Sequence, residues 1–373
     1  MKKILLVFGT RPEAIKMAPL VLALKAKNIF DVKVCVTAQH RQMLDQVLRF
    51  FNIVPDYDLD LMRKNQTLNT LTADILLKIN NVFNDYKPDC VLVHGDTTTS
   101  MAVALAAFYS NIKIGHVEAG LRTYNKYEPF PEEINRQFTG RITDYYFAPT
   151  NKARQNLLNE MVLDSSIVVT GNTVIDALIH SVKNINENEY DDIVVFKNKI
   201  DLKKEYILVT GHRRENFGDG FINICNALKT IALKYSNLQI IYPVHLNPNV
   251  QEPVYKILAN ISNIILLDPL SYPAFVYAMN NSKLIITDSG GVQEEAPSLG
   301  KPVLVLRNTT ERPEAVEAGT VILVGTDNNK IISETIRLLE DNEFYKKMSL
   351  LHNPYGDGKA CDRIISFLKD NLV

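Results

Sequence analysis

Three acidic residues stand where apolar segments in the first half of the sequence end. Asp96 follows the apolar run 90–94, and Glu118 comes directly after the run 112–117. Glu132 lies in the first turn of a predicted helix, directly after the proline with which that helix starts. The carboxyl ends of parallel strands meet at one edge of a sheet, where ligands bind. Three carboxylates at such an edge indicate proton transfer, because each can accept or donate a proton. Taken singly, Asp96 is also a candidate helix N-cap, and Glu132 also suits the dipole of a first helical turn.

Two basic residues follow the first apolar run, 4–8. Arg11 lies in the sequence GTRPE directly after that run, and Lys16 comes one turn into the next helix. The segment matches neither the glycine-rich dinucleotide motif nor a P-loop, so a nicotinamide cofactor is not indicated. Arg11 stands at the positive end of the predicted helix, where a cation is unfavourable. It is therefore either a ligand-binding group or a solvated surface arginine.

Residues in the second half of the sequence suit a phosphate. Ser289, Gly290 and Gly291 lead from an apolar run into a predicted helix. Main-chain N–H groups at such a position bind anions, and glycine allows a close approach. Glu295, in the opening turns of that helix, either accepts hydrogen bonds from a ribose or interacts with the helix dipole. Arg312 begins a later helix and adds a cation.

The histidines divide into two groups. His212 and His245 follow the first two strands predicted in the second half, so both are expected at a ligand-binding edge. His94 and His116 lie within apolar runs and are predicted to be core residues with satisfied hydrogen bonds. No two histidines show metal-ligand spacing, and we therefore expect no metal site.

Short apolar runs alternate with helical segments along nearly the whole chain, which predicts parallel sheets covered on both faces. The predicted strands of the first half are 4–8, 32–37, 90–94, 112–117, 145–148 and 167–170. Those of the second half are 206–210, 239–244, 264–267, 283–287, 302–306 and 321–324.

The polar stretch 184–204 separates the two series and is read as the boundary between domains. We therefore predict an α/β protein of two Rossmann-like, doubly wound domains, residues 1–190 and 191–373. The last helix, at about 359–371, is a candidate to pack back on the first domain.

Charge balance, apolar runs and cysteine spacing exclude several classes of partner and location. Lys and Arg total 41 against 42 Asp and Glu, which argues against a nucleic acid or an anionic membrane as the main partner. No apolar run reaches the roughly 18 residues of a membrane helix. The amino terminus has no signal-peptide pattern, and the four cysteines lack C-x-x-C spacing, so buried free thiols and a cytoplasmic location are expected.

Taken together, the motifs resemble those of the non-hydrolysing UDP-N-acetylglucosamine 2-epimerase family, which has the two-domain GT-B architecture. The resemblance spans almost the whole chain, and its combination of motifs in order is more specific than any one of them. The motifs are GTRPEAIKMAP, HGDTTT, GHVEAGLRT, PFPEE, VTGNTVIDAL, VTGHRREN, YPVHLNP, TDSGGVQEEAPSLGKP, TERPE and NPYGDG.

This resemblance implies reversible epimerisation at C2 of UDP-N-acetylglucosamine in a cleft between the domains, with no cofactor. It implies catalytic roles for Asp96, Glu118, Glu132 and His212. The UDP-sugar contacts that it implies are Arg11, Lys16, Asp96, Glu118, His212, Phe275, Ser289, Gly290, Gly291, Glu295 and Arg312. Family members are typically homodimers. Bacterial members can be activated by their own substrate at a second site, here expected at Gln42, Arg213 and His245.

The chemistry explains why such residues are needed. The C2 hydrogen of a hexose is not acidic. It can leave after transient oxidation by NAD, whose binding motif is absent, or after the anomeric bond to UDP breaks. Elimination gives a glucal, and re-addition of UDP with protonation of the opposite face inverts C2. We expect Glu118 and Glu132 to transfer the protons and Asp96 to orient them. The alternatives are a hydrolysing 2-epimerase, a GT-B glycosyltransferase and a non-catalytic UDP-sugar sensor.

Overall fold

Runs of branched apolar residues form the strands of two separate parallel sheets. The computed structural model describes residues 1–38, 41–63, 66–310 and 312–372 of the chain. These residues form two compact units. The first unit comprises Met1–Ala177 and Tyr355–Val373, and the second comprises Leu178–Pro354.

The first unit contains a seven-stranded parallel sheet in the order β3-β2-β1-β4-β5-β6-β7. Its strands are β1 (Lys3–Phe8), β2 (Asp31–Val36), β3 (Tyr57–Asp58), β4 (Cys90–His94), β5 (Lys113–Val117), β6 (Tyr145–Ala148) and β7 (Ile167–Val169). Its helices are α1 (Arg11–Lys27), α2 (Arg41–Phe50), α3 (Leu68–Tyr86), α4 (Thr98–Tyr109), α5 (Glu132–Ile142), α6 (Asn151–Asn159) and the start of α7 (Thr173–Glu187). The strand order reverses direction between β1 and β4, which is where doubly wound sheets bind ligands.

The second unit contains a six-stranded parallel sheet in the order β10-β9-β8-β11-β12-β13. Its strands are β8 (Tyr206–Thr210), β9 (Gln239–Pro243), β10 (Ile264–Leu267), β11 (Leu284–Thr287), β12 (Val303–Val305) and β13 (Val321–Leu323). Its helices are α8 (Asp191–Lys197), α9 (Asp219–Lys234), α10 (Pro248–Leu258), α11 (Tyr272–Asn281), α12 (Gly290–Glu295), α13 (Pro313–Glu317), α14 (Asn328–Glu340) and α15 (Asn342–Ser349). Here the order reverses between β8 and β11.

The prediction of two Rossmann-like sheets is confirmed, and each of the twelve predicted runs forms a strand. Sequence periodicity missed β3, because two residues are too few to show a pattern. The polar stretch 184–204 contains the end of α7 and the whole of α8 rather than an extended linker. The division into units falls at Ala177, within α7, and not at the predicted residue 190.

The last helix, α16 (Ala360–Leu372), belongs to the first unit. The carboxylate of Asp176 accepts hydrogen bonds from the main-chain N–H groups of Ala360 (3.2 Å) and Cys361 (2.9 Å) at the start of α16. These groups have no partner within their own helix, so a buried carboxylate satisfies them. The side chain of Phe367 also packs edge-on against Phe147 of β6.

Candidate functional site

The loops after β1 and β4 are joined by a buried carboxylate, Glu13. Its Oε2 accepts from the N–H groups of Gly9 (3.0 Å) and Thr10 (2.8 Å), and its Oε1 accepts from the hydroxyl of Thr97 (2.6 Å). Burial raises the pKa of Glu13, although these hydrogen bonds oppose the shift. The sequence Thr10-x-x-Glu13 is a capping box, so this role was readable from the sequence but was not recognised.

Gly9 is required where the chain leaves β1. A Cβ atom at this position would lie 2.0 Å from the hydroxyl oxygen of Thr37 and 2.6 Å from that of Thr99. These hydroxyls are hydrogen-bonded to each other at 2.9 Å. The absence of a side chain therefore lets the end of β1 approach the loop after β2 and the start of α4 closely.

Asp96 follows β4 and is held by helix α5. Its Oδ2 accepts a hydrogen bond of 2.6 Å from Arg136, and its carbonyl accepts one of 2.9 Å from Asn135. Burial raises the pKa of Asp96 and the charge of Glu118 adds to the shift, whereas Arg136 opposes it. The alternative reading of Asp96 as a helix cap is wrong, because Thr97 caps α4.

Glu118 follows β5 in a left-handed backbone conformation, with φ of 64°. This conformation is uncommon for a residue with a side chain. Its Oε2 accepts hydrogen bonds from Nζ of Lys16 (2.5 Å) and Nδ2 of Asn172 (2.7 Å), and Nε2 of His94 lies 3.8 Å away. The carboxylate is thus largely buried and accepts from two donors that lie far apart in the sequence. The prediction that Lys16 and Glu118 share a site fits this geometry.

Adjacent glutamates at the start of α5 have different environments. Glu133 is fully buried and accepts from the N–H groups of Thr123 and Tyr124, both at 3.0 Å. Burial would raise the pKa of Glu133, but these hydrogen bonds and Arg136 together lower it. In contrast, Oε2 of Glu132 is buried without a hydrogen-bond partner among the described residues. Glu132 lies one helical turn before Arg136 and therefore on the face that reaches Asp96.

The two core histidines are buried as predicted, but the expectation that their hydrogen bonds are satisfied is wrong. Nε2 of His116 donates to the carbonyl of Gly95 at 2.7 Å, whereas its Nδ1 has no partner within the described part of the chain. Nε2 of His94 also has none there. Burial lowers the pKa of His94 to about 3 and that of His116 to about 4, so both rings are neutral near pH 7.

In the second unit, Asp288 organises the loop after β8. This residue follows β11 and is fully buried. Its Oδ2 accepts from the N–H groups of His212 and Arg213, both at 2.8 Å, and from the amide of Asn216 at 3.3 Å. Several hydrogen bonds and the neighbouring His212 lower the pKa of Asp288 against the opposing effect of burial.

The imidazole of His212 is presented to solvent by this arrangement. Its Nδ1 lies 3.3 Å from Oδ1 of Asp288, within reach of an ion pair when the ring is protonated. The ring stacks on His245, with centroids 5.5 Å apart. Burial, followed by the charge of His212, lowers the pKa of His245. His212, predicted to be catalytic, and His245, predicted to be regulatory, therefore lie side by side.

Helix α12 presents its N-terminus beside a cation. Ser289 is the N-cap, and Gly290 and Gly291 are the first two helical residues. A Cβ atom on Gly290 would lie 3.4 Å from Cζ of Arg312. The guanidinium is held over this helix end by a hydrogen bond of 2.7 Å to Glu294. The first N–H groups of a helix have no partner within that helix, and together with a fixed guanidinium they suit a phosphate.

The remaining predicted site residues have the following positions. Arg11 is the first residue of α1 and is half-buried. Phe275 is half-buried on α11, and Glu295 is the last residue of α12. Gln42 is exposed near the start of α2, in a different unit from Arg213 and His245. The TERPE motif includes Glu311, which lies outside the described residues.

Three further findings for the described residues concern metal-binding groups, membrane helices and cysteines. Within the ranges given above, His, Cys, Asp and Glu side chains form no group of three or more that is arranged to hold a metal ion. Among the helices described, none is both long enough and apolar enough to cross a membrane. All four cysteines are buried free thiols, as predicted.

Comparison with known proteins gives consistent matches. The family model for UDP-N-acetylglucosamine 2-epimerase matches residues 22–369. The UDP-N-acetylglucosamine 2-epimerase of Escherichia coli (strain K12) is 58% identical over 373 residues, which cover 100% of this chain and 99% of that protein. The protein of the same name from Campylobacter jejuni is 58% identical over 372 residues, covering 98% of this chain and 97% of the relative.

Solved structures agree. The UDP-GlcNAc 2-epimerase of Neisseria meningitidis, bound to UDP-GlcNAc, has a TM-score of 0.88 and 51% identity, covering 99% of this chain and 100% of that one. The enzyme of Methanocaldococcus jannaschii, in complex with UDP-GlcNAc and UDP, has a TM-score of 0.80 and 36% identity, covering 99% of both chains.

Proposed function

This chain belongs to the UDP-N-acetylglucosamine 2-epimerase family, and from that premise we propose that it is the non-hydrolysing enzyme, which interconverts UDP-N-acetylglucosamine and UDP-N-acetylmannosamine. The single observation that carries this proposal is the group of carboxylates beside β4 and β5. Asp96 and Glu118 are each held by a cation, and Glu132 has a buried, unpartnered oxygen among the described residues. Such a set suits proton transfer at a carbon atom, which sugar transfer alone does not require.

The substrate follows from the groups of the second unit. The helix end at Ser289, Gly290 and Gly291, with Arg312 beside it, suits a diphosphate. UDP-GlcNAc, which two similar solved structures hold, carries such a group. We propose that Glu295 accepts from the ribose and that Phe275 contacts the nucleotide. Arg11 and His212 add positive charge for the diphosphate.

The first half of the reaction is elimination. The C1–oxygen bond breaks, its electron pair leaves with UDP, and a carboxylate takes the C2 proton, so that a C1–C2 double bond forms. Cationic and N–H donors that are already in place stabilise the departing diphosphate most where its charge is largest. We propose that Arg312, His212 and the start of α12 supply these donors.

The second half reverses these steps with the other face protonated. A carboxylic acid delivers a proton to C2, and an oxygen of UDP attacks C1, so C2 is inverted and no water is consumed. We propose Glu118 and Glu132 as the proton carriers and Asp96 as the group that orients them. Burial and the charge of Glu118 raise the pKa of Asp96. This shift supports the idea that the carboxylates at this edge of the sheet share protons.

The test is incubation with UDP-GlcNAc in D₂O followed by proton NMR, without added cofactor. We expect deuterium at C2 of intact UDP-sugars and a mixture of the two epimers. Stoichiometric release of UDP and free N-acetylmannosamine would instead identify a hydrolysing enzyme. No reaction without an acceptor would indicate a transferase, and binding without turnover would indicate a sensor.

Three accompanying proposals rest on family membership alone. The enzyme is a homodimer, which light scattering after size-exclusion chromatography tests. It acts in the cytoplasm, which fractionation of its cells tests. Gln42, Arg213 and His245 bind a regulatory substrate molecule, which sigmoidal kinetics with UDP-GlcNAc and their loss in the variant Gln42→Ala would support.

A further inference from the structure

Asn172 stands between β7 and α7 and is almost fully buried, with 3% of its surface exposed. Its amide Nδ2 donates a hydrogen bond of 2.7 Å to Oε2 of Glu118. Asn172 lies in the motif VTGNTVIDAL, from which no role for it was predicted. A buried amide that donates to a reacting carboxylate is a candidate to position that carboxylate.

The orientation of this amide is determined by its other contacts. Oδ1 of Asn172 accepts a hydrogen bond of 3.0 Å from the N–H of Val174, as an N-cap residue does. Because the oxygen is used in this way, the NH₂ group must face Glu118. The hydrogen bond from Val174 therefore determines the orientation of the amide, and with it the hydrogen bond to Glu118.

The main chain of Asn172 is held as firmly as its side chain. Its N–H donates to the carbonyl of Tyr355 at 2.7 Å, where the chain re-enters the first unit. Gly171, with φ of 85°, allows this contact, because a Cβ atom there would lie 3.2 Å from Cα of Gly356. Asn172 thus directly precedes α7, in which the chain leaves the first unit, and it contacts the segment in which the chain returns to that unit.

Glu118 needs such support because of its own backbone. A left-handed conformation at a residue with a side chain is unfavourable and persists only where surrounding contacts fix it. Lys16 and Asn172 bind the same oxygen, Oε2, from two different elements. Lys16 supplies charge through a flexible side chain, whereas the short Asn172 side chain supplies direction.

We propose that Asn172 is a positioning residue that sets the orientation and proton affinity of the Glu118 carboxylate during epimerisation. This inference rests on the proposed function. A donor to the ionised carboxylate favours that form over the protonated one. Loss of the donor therefore shifts to higher pH the part of the kcat–pH profile in which Glu118 loses its proton. It also lowers kcat by a larger factor than it raises KM.

The test compares Asn172→Ser with a matched change, Asn156→Ser. Serine retains an acceptor for the N–H of Val174 but is too short to donate to Glu118. Asn156 donates to the carbonyl of Gly120 at 3.0 Å, on the same loop as Glu118 but not to its carboxylate. We expect Asn172→Ser to lower kcat roughly 10- to 100-fold, because small misplacements of a reacting group have effects of this size. KM should change by less than about threefold.

The outcomes separate the two proposals. A wild-type enzyme that shows no deuterium incorporation contradicts the proposed function, whatever Asn172 does. An active wild type with unchanged kcat and pH profile in Asn172→Ser overturns the positioning role. Equal losses in Asn172→Ser and Asn156→Ser, each matched by a lower melting temperature, would also overturn it, because they would indicate a purely structural role. Recovery of kcat at higher pH in Asn172→Ser alone supports it.

Discussion

Arg136 donates a hydrogen bond of 2.6 Å to Oδ2 of Asp96 and thereby ties helix α5 to the loop after β4. The contact has two consequences. It partly offsets the rise in the pKa of Asp96 that burial causes. It also fixes the first turns of α5, where Glu132 lies, relative to the sheet edge that carries Asp96. One arginine therefore positions two of the three proposed catalytic carboxylates.

Replacing this arginine should impair catalysis more than binding. We expect Arg136→Met to lower kcat by about 100-fold or more, because both carboxylates lose their placement. The matched control is Arg154→Met, which removes an exposed pair with Asp164 and should change kcat less than about twofold. Steady-state kinetics with UDP-GlcNAc measure both. Similar kcat values in the two variants would contradict the role of Arg136.

The adjacent glutamates of α5 should respond in opposite ways. Glu132→Gln removes a proton carrier, so kcat should fall about 10²- to 10⁴-fold while the free energy of unfolding stays nearly unchanged. Glu133→Gln weakens buried hydrogen bonds to Thr123 and Tyr124. It should therefore lower the free energy of unfolding by about 1–3 kcal/mol. Urea unfolding and kinetics on both variants test this contrast, and the reverse pattern would exchange the two roles.

A methyl group at Gly290 should block the proposed phosphate site without disturbing the fold. It would lie 3.4 Å from the guanidinium carbon of Arg312, an ordinary contact, but it would occupy the space that an anion needs. We expect Gly290→Ala to weaken UDP binding at least about 10-fold, or about 1.4 kcal/mol, in calorimetric titration. An unchanged melting temperature serves as the control. Wild-type affinity for UDP in this variant would place the diphosphate elsewhere.

Buried histidines should make the protein less stable in mild acid. Burial lowers the pKa of His116 to about 4, below the roughly 6.5 of an unfolded chain. Between these two pH values the unfolded state binds a proton that the folded state does not. The free energy of unfolding is therefore highest above about pH 6.5 and falls as the pH decreases. Each such proton contributes up to about 1.4 kcal/mol per pH unit. In urea unfolding at pH 7, 6 and 5, His116→Gln should show the shallower dependence; parallel curves for variant and wild type would contradict this.

Much of the architecture could be predicted because apolar runs and strand ends are local features. The run 90–94 matches β4 residue for residue, and the loop after it carries Asp96 where predicted. The position of residues after strands then placed Glu118 and His212 at the edges of their sheets. The boundary at residue 190 differed from the observed division, because α7 continues through the point where one unit ends.

Contacts between distant segments could not be predicted. Asp288 lies within one motif and Arg136 shortly after another, yet nothing local indicates that Asp288 binds the loop after β8 or that Arg136 binds Asp96. Asn172, the proposed positioning residue, is held by a main-chain contact with Tyr355, which lies 183 positions later in the sequence. Such pairings follow from the order of strands in the sheet, which one sequence does not specify.

The proposed mechanism requires the anomeric bond to break before C2 is inverted. UDP-GlcNAc labelled with ¹⁸O in the oxygen between C1 and the β-phosphorus tests it directly by phosphorus NMR, with the reaction run in D₂O. We expect the label to move from the bridging into the non-bridging β-phosphate positions while deuterium enters C2. Complete epimerisation with the label still bridging and the original C2 hydrogen retained would contradict it.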